Sequence, residues 1–335
     1  MASQAPNAHD GQIAGVDIHQ HFLPEEFLAA LSARSRPPRL HDGHLDLGDQ
    51  GRWPIDVAGH TLERRLELLD GMEIERAIVS LQPSLGADWR DGGEGEELAV
   101  AWERGILELA RASGGRIVPL AARGPADGFA GVCVAAPSLL DLDGLAPLLD
   151  ALGRTGGFLF VHPGNAHMPA GAPTWWAAVV DYTAQMQAAY AAWLALGAAR
   201  WPDLDVVFAI LAGGAPIQLE RMESRGVAAR SAMLPHVWFD TASYGKRALE
   251  LTMSTFGVER MLFGSDAPVV DPAGALITIR SFGDAVTNAL VSENIQRLGV
   301  CNDRHQDVPR PAGSGAPDPR PACNGCAGEG DRRHA

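Results

Sequence analysis

The stretch VDIHQHFLP (residues 16–24) places two imidazoles, those of His19 and His21, two positions apart. We expect the residues from Val16 to Phe22 to form a β-strand, in which alternate side chains point to the same side. His19 and His21 would then present two nitrogen ligands to one point.

Two more polar residues stand at the ends of apolar runs. His162 ends the run in FLFVHPG, and Asp266 follows the run in MLFGSDAP. Three neutral imidazoles and one carboxylate are a donor set for Zn²⁺ or a similar divalent ion, with one position left for water. Such an ion lowers the pKa of its water and supplies a nucleophile at neutral pH. Asp266 could touch the ion through one oxygen and accept the proton of the water through the other.

Each of these residues also has a purely structural interpretation. A histidine pair in a short strand can be without function, His162 before Pro163 could cap a turn, and Asp266 could cap a helix. The functional interpretation therefore depends on all four side chains meeting at one place.

The elements that would bring them together are eight β-prone apolar runs, which alternate with segments of helical period. The runs are residues 14–19, 76–81, 116–121, 131–134, 158–162, 205–211, 237–241 and 261–265. Continuous apolar runs such as VVFAIL are typical of strands that helices cover on one face and a packed interior covers on the other. The alternation predicts an α/β fold, the (β/α)₈ TIM barrel, whose active site lies at the carboxyl ends of the strands.

The domain boundaries follow from composition. Residues 1–12 are expected to be a disordered leader without the basic start and apolar stretch of a signal peptide, and residues 13–300 a single barrel domain. Residues 301–335 are rich in Pro, Gly, Arg and Asp, which predicts a disordered tail. Residues 24–59 have no clean period and are expected to be an excursion over the barrel mouth.

Charge and composition narrow the choice of partners. The net charge of -14 argues against nucleic acid and anionic membranes, because both reward clustered Lys and Arg. No apolar run reaches the roughly 18 residues that cross a membrane. The four cysteines are too few for a disulfide scaffold in a chain of 335 residues. We expect a cytoplasmic protein with a small-molecule substrate.

Several motifs together resemble the amidohydrolase superfamily, in particular the amidohydrolase-related subgroup that contains aminocarboxymuconate-semialdehyde decarboxylase and the resorcylate-type decarboxylases. The motifs are VDIHQHFLP, FLFVHPG, PDLDVVFAILAGG followed by QLER, VWFDTASYG, and ERMLFGSDAP with ENIQRLG, and they span residues 14 to 299. The resemblance implies a single metal ion held by His19, His21, His162 and Asp266. Zinc is the expected ion, with manganese, iron or cobalt as alternatives. Barrels of this subgroup often dimerise, so a homodimer is an open alternative.

One residue departs from the pattern of this subgroup, whose sixth strand usually ends in His-x-Gly-Gly. That His polarises the substrate or helps to activate the water, but here Leu211 stands in its place, and an aliphatic side chain cannot donate a proton. The available substitutes are His167, His41, His44 and Tyr244. We favour His167, which lies five residues beyond His162. The absence of Lys at the end of the fourth run (GVCVAAP) argues for one ion rather than a lysine-bridged pair.

Two further groups could serve the site. Asp240, which ends the seventh run in VWFDTAS, could orient a ligand histidine by accepting its second N–H. Trp175, Trp176 and Tyr182 could line a pocket for a flat substrate or could belong to a helix core.

The sequence therefore predicts a metal-dependent hydrolase that cleaves an amide, lactone or related bond of a small carboxylated or aromatic molecule. Asp266 and His167 are the predicted catalytic residues. The first alternative is a non-oxidative decarboxylase of the same subgroup, which protonates a ring carbon. The second is a non-catalytic barrel that keeps the ion for structure. A carboxylate beside an open metal position favours catalysis over mere binding.

Overall fold

Eight parallel strands surround the centre of the computed structural model, which describes residues 15–85, 93–228 and 234–299. They are β1 (Val16–His21), β2 (Arg76–Ser80), β3 (Ile117–Pro119), β4 (Gly131–Ala135), β5 (Phe158–His162), β6 (Val206–Phe208), β7 (Val237–Asp240) and β8 (Met261–Leu262). Each strand overlaps one of the eight predicted runs. The first strand continues to His21, two residues beyond the predicted end of its run.

The strands pair in chain order and close into a ring. β1, β2 and β3 form one parallel ladder, and β4 to β8 form another. A parallel bridge between Ala121 and Val132 joins β3 to β4, and a second bridge between Gln20 and Ala267 joins β1 to the segment after β8. The predicted (β/α)₈ barrel is confirmed, and closure brings the carboxyl end of β1 beside that of β8.

Large apolar side chains fill the barrel wall and the layer beneath the helices. Ile18, Phe160, Phe208 and Phe239 are each at most 1% exposed. Because helices cover the outside and the interior is packed, these strands are apolar on both faces. Polar side chains are therefore concentrated where the strands end.

Helices follow the strands around the outside of the barrel. They are α1 (Glu25–Ser32), α2 (Leu62–Met72), α3 (Glu94–Ala112), α4 (Leu142–Thr155), α5 (Tyr182–Ala192), α6 (Ala198–Arg200), α7 (Ile210–Glu223), α8 (Lys246–Phe256), α9 (Pro272–Arg280), α10 (Asp284–Asn288) and α11 (Asn294–Arg297). Single π-helical turns at Ala177–Asp181, Trp193–Gly197 and Ala289–Glu293 adjoin α5, α6 and α11. Within the described ranges, no helix has the length and apolar character needed to cross a membrane.

The segment after β1 is more regular than its sequence pattern indicated. It contains α1 and a small antiparallel sheet of three strands, Arg39–His41, His44–Asp46 and Arg52–Pro54. Three-residue strands are too short to produce a readable alternation, which is why the period was not visible. The predicted leader (residues 1–12) and tail (residues 301–335) lie outside the described residues.

His60 links the segment that follows β1 to the residue just after that strand, Leu23, by a hydrogen bond. This contact makes the stability of the fold depend on pH. Nδ1 of His60 accepts a hydrogen bond from the backbone N–H of Leu23 at 3.1 Å, and the residue is 9% exposed. Burial and the charge of Arg65 lower the pKa of His60 from 6.5 to about 4. Because the pKa is lower in the folded state, this stabilisation is complete above the unfolded pKa and is lost as pH falls towards about 4.

We expect wild type to lose about 3 kcal/mol more unfolding free energy than His60→Gln between about pH 7 and about pH 4, at about 1.4 kcal/mol per pKa unit. Gln keeps a hydrogen-bond acceptor but does not titrate. Denaturant unfolding of both metal-free proteins across this range measures the difference. An equal loss in the two proteins would contradict the assignment.

Candidate metal centre

Three imidazoles meet at the carboxyl ends of β1 and β5. His19 and His21 are each 1% exposed and His162 is 4% exposed. One ligand atom from each lies within 4.8 Å of the others, and the Nε2 atoms of His19 and His21 are 3.1 Å apart. The strand alternation that predicted two converging imidazoles is confirmed, although the β1–β2 register shifts between Asp17 and Gln20.

The tautomers of these imidazoles follow from their partners. Each Nδ1 lies within hydrogen-bonding distance of an oxygen: Asp240 Oδ2 at 2.6 Å for His19, the carbonyl of Ser80 at 3.2 Å for His21, and the carbonyl of Pro163 at 2.9 Å for His162. A carboxylate or carbonyl oxygen only accepts, so each Nδ1 carries the proton and donates it. Every neutral ring therefore keeps an Nε2 lone pair available for a ligand. The contact that was predicted between Asp240 and a candidate ligand histidine is present.

Asp266 lies beside two of the three imidazoles. Its Oδ1 lies 3.2 Å from Nε2 of His21 and 3.5 Å from Nε2 of His19, yet this buried oxygen accepts no hydrogen bond. The other oxygen, Oδ2, accepts a hydrogen bond from the hydroxyl of Ser243 at 3.4 Å. The backbone N–H of Asp266 donates to the carbonyl of His19 at 2.8 Å, which fastens the carboxylate beside β1.

This arrangement fits a divalent cation. Nitrogen lone pairs that face a carboxylate oxygen without an intervening donor repel one another, and a buried polar atom without a partner costs about 1–3 kcal/mol. A cation converts that repulsion into attraction, and three imidazoles with one carboxylate suit zinc or manganese. The orphaned Oδ1 of Asp266 is the observation that supports a metal ion here.

The electrostatics of the centre favour neutral nitrogen ligands at two of the three histidines, His162 and His21. Burial, reinforced by the charges of His21 and His19, lowers the pKa of His162 well below its usual value. Burial also lowers the pKa of His21. Burial would raise the pKa of Asp266, but the neighbouring histidines outweigh it and lower that pKa. Burial would also lower the pKa of His19, but the charges of Asp240 and Asp266 outweigh it and raise that pKa to about 9. A metal ligand must be deprotonated, so the shifts of His162 and His21 favour binding, whereas an ion must displace a second proton from His19.

His167, the predicted substitute for the missing proton donor, lies on the loop after β5. It is exposed, and its backbone N–H donates to Asp181 Oδ2 at 3.1 Å. It lines a cavity of about 530 Å³ together with Leu47, Asp49, Gln50, Asn165, Ala166, Met168 and Pro169. The three clustered histidines are not among the described residues of this lining.

The other candidate substitutes lie in different surroundings. His41 and His44 are on the small antiparallel sheet, where both contact Asp42. Tyr244 is partly buried, and burial raises the pKa of its hydroxyl. Of the aromatic residues, Trp175 is 55% exposed and stacks on Trp176, whereas Tyr182 is partly buried and packs against the core.

The end of the sixth strand was predicted wrongly. The predicted run continued to residue 211, but β6 ends at Phe208 and residues 210–214 have positive φ angles between 45° and 82°. These five residues are the first of α7, which therefore begins with a left-handed turn and continues as a regular helix after Gly214. Leu211 lies within this turn and is 1% exposed. The two glycines, Gly213 and Gly214, accept such angles readily, whereas the preceding aliphatic residues are strained there.

Sequence reasoning missed two residues, Arg65 and Ser80, that form hydrogen bonds with the end of β1. Arg65 is 1% exposed, and its guanidinium donates to the carbonyl of His21 at 2.8 Å and to Oε1 of Gln20 at 2.5 Å. Ser80 supplies the carbonyl that orients His21. A sequence signal existed only for Arg65, because it occupies an apolar-face position of α2, three residues after Leu62 and four before Leu69.

Comparisons with known proteins identify the class. The model of the amidohydrolase family matches residues 89–298, which is well over half of the chain. The chain therefore belongs to the amidohydrolase family, as the resemblance predicted, and it is an enzyme of that superfamily. No curated protein matches it in sequence.

Solved structures of low sequence identity share the fold. IDCase from Metarhizium anisopliae is 20% identical, with a TM-score of 0.72 over 85% of this chain and 96% of its own. The 5-carboxyvanillate decarboxylase LigW from Sphingomonas paucimobilis is 18% identical, with a TM-score of 0.65 over 86% and 99%. A dihydroxybenzoic acid decarboxylase from Polaromonas sp. JS666, solved with manganese and 2-nitroresorcinol, is 19% identical, with a TM-score of 0.62 over 86% and 97%.

Metal content tests the site directly. We expect about one Zn²⁺ or Mn²⁺ per chain after reconstitution and dialysis, since the geometry offers one donor set. The His19→Ala/His21→Ala variant should lose it, because two of the four donors are gone. Elemental mass spectrometry measures the ratio.

The matched control is His41→Ala/His44→Ala, which removes two histidines from the small sheet and should leave the metal content unchanged. Retention of the ion by the His19→Ala/His21→Ala variant would refute the site.

Proposed function

We propose that this enzyme uses one divalent ion, held by His19, His21, His162 and Asp266, to remove the carboxyl group of a small aromatic acid without an oxidant. The observation that carries the proposal is the orphaned Oδ1 of Asp266 beside three converging imidazoles at the carboxyl end of the barrel. The names of the structural neighbours support this chemistry, since two of them are decarboxylases of substituted benzoic acids.

A single ion of zinc or manganese is the proposed cofactor. Three nitrogen donors favour zinc, whereas the carboxylate and the neighbour solved with manganese support manganese. β4 ends at Ala135 and carries no lysine that could bridge two ions. The ion would act as a Lewis acid on the oxygens of the substrate.

Asp266 is the proposed proton carrier. In decarboxylation the bond between the ring carbon and the carboxylate breaks, CO₂ leaves, and the ring carbon takes a proton. Asp266 would accept that proton from a substrate hydroxyl or water and deliver it to the ring carbon. Ser243, which donates to Oδ2, holds the carboxylate so that Oδ1 stays directed at the imidazoles.

Hydrolysis of an amide or lactone is the second candidate function. With Oδ1 of Asp266 bound to the ion, Oδ2 could accept a proton from water as the water oxygen adds to a carbonyl carbon, and then return it to the leaving group. This is the reaction that the sequence pattern predicted first. The two reactions differ in product, because only decarboxylation releases CO₂.

Asp266→Asn should abolish either reaction while the barrel stays folded. We expect turnover to fall at least about 100-fold, the usual effect of removing a positioned proton carrier. In the assay, the metal-loaded protein is incubated with a panel of hydroxybenzoates and lactones. CO₂ release and the other products are measured by mass spectrometry.

The control for Asp266→Asn is Asp271→Asn, which removes the charge of the residue that caps α9, keeps an acceptor oxygen there, and leaves the proposed metal donors intact. Unchanged turnover in Asp266→Asn would refute its role. If no member of the panel releases CO₂ and a lactone is hydrolysed, the result would favour the second function.

His167 is proposed to contact the substrate from the cavity after β5. His167→Ala should then raise KM about tenfold, the effect of losing a hydrogen bond to a charged group, and leave kcat within about twofold. Steady-state kinetics on the best member of the panel separate the two constants. A fall in kcat of about 100-fold would instead assign His167 the proton transfer that the sequence predicted. No change in either constant would exclude both roles.

A further inference from the structure

We propose that Asp240 is a positioning residue, one that sets the metal affinity of this protein without touching the ion. It would do so by holding His19 in its metal-binding tautomer and by tying that imidazole to the turn after β6. This inference rests on the proposed metal site.

Asp240 is 0% exposed, and both oxygens of its carboxylate form hydrogen bonds within the protein. Oδ2 lies 2.6 Å from Nδ1 of His19. Oδ1 accepts the backbone N–H groups of Ile210 at 2.8 Å and of Ala242 at 3.0 Å. One buried carboxylate thus joins the ends of β1, β6 and β7.

The contact with His19 decides which ring nitrogen carries the proton. A buried carboxylate is an acceptor only, and an N–H···O⁻ bond of this length is a strong one. It keeps the proton on Nδ1 and leaves the Nε2 lone pair directed at His21 and Asp266. Partners of this kind are worth about 10–100-fold in metal affinity.

The contact with Ile210 links the metal ligand to strained backbone. Ile210, Leu211 and Ala212 have φ angles of 45°, 51° and 49°. For residues other than glycine, this left-handed backbone conformation costs about 1–2 kcal/mol of free energy per residue. The hydrogen bond from Ile210 to Asp240 stabilises the start of this turn. Loss of the carboxylate would therefore disturb His19 and the turn together.

Gly264 allows this close approach. A Cβ at position 264 would lie 2.9 Å from Cβ of His19 and 3.2 Å from Cβ and Cγ of Asp240. Any side chain there would push the imidazole and the carboxylate apart. Gly264→Ala is thus a second way to weaken the contact while both partners remain.

The experiment compares metal affinity and stability in matched variants. Asp240→Asn is nearly isosteric, but its amide must either present N–H to Nδ1 of His19, which moves the ring proton to Nε2, or face two backbone N–H donors. The control is Asp205→Asn at the opposite end of the barrel. There Asp205 Oδ1 contacts Nδ1 of His236 at 3.0 Å and accepts Nε1–H of Trp238 at 2.9 Å.

Competition with a chromophoric chelator gives the affinity for Zn²⁺ and Mn²⁺, and thermal unfolding of the metal-free proteins gives the stability. We expect Asp240→Asn to bind the metal about 10–100-fold more weakly. Asp205→Asn should lose stability but keep its metal affinity. Gly264→Ala should weaken metal binding in the same direction as Asp240→Asn, and Gly153→Ala, where a Cβ would have open space, should not.

The outcomes separate this inference from the proposed function. If wild type binds metal and both Asp240→Asn and Gly264→Ala bind it equally well, the positioning role is overturned and the metal site stands. If Asp240→Asn does not fold, Gly264→Ala decides. If wild type binds neither ion, the proposed function and this inference fail together.

Discussion

The mutual repulsion of buried lone pairs is the constraint on which the rest of this structure depends. Three imidazoles and a carboxylate converge within a few ångströms, and the Nε2 atoms of His19 and His21 are 3.1 Å apart. Each imidazole donates its Nδ1 proton away from the centre. The charges of Asp240 and Asp266 outweigh burial and raise the pKa of His19 to about 9, so a second proton on this ring can offset the repulsion when no ion is bound. The proposed cation would offset the repulsion between these atoms, and the hydrogen bonds to Nδ1 prevent the rings from turning away from one another.

Closure of the barrel is what makes the convergence possible. Asp266 reaches His19 only because the segment after β8 pairs with β1, through the bridge between Gln20 and Ala267. Arg65 stabilises the same strand by donating a hydrogen bond to the carbonyl of His21. The candidate metal centre and the ring of strands are therefore stabilised by the same contacts, and a substitution at the junction should affect both.

The end of β6 is followed by a left-handed turn that contains Leu211, and Asp240 holds this turn through the backbone N–H of Ile210. An aliphatic residue there cannot exchange protons with a substrate. The proposed proton transfer therefore depends on other groups, and Asp266, whose Oδ1 lies 3.2 Å from Nε2 of His21, is the proposed carrier.

Much of the fold and the donor set could be predicted from the sequence, because both depend on local patterns. Apolar runs of strand length show where the strands lie, and the spacing of His19 and His21 places two imidazoles on one side of a strand. The turn at residues 210–214 escaped prediction because aliphatic residues there continue the strand pattern, and only tertiary hydrogen bonds hold them at positive φ.

The amino-acid sequence by itself determined which residues could bind a metal and which ends of the strands carry them. Tertiary structure alone decided the tautomers, the orphaned oxygen of Asp266, and the roles of Arg65 and Ser80. These features depend on contacts between residues far apart in the chain, such as His19 with Asp240 and His21 with Ser80. No local pattern encodes such contacts, because they exist only after the strands have closed into a barrel.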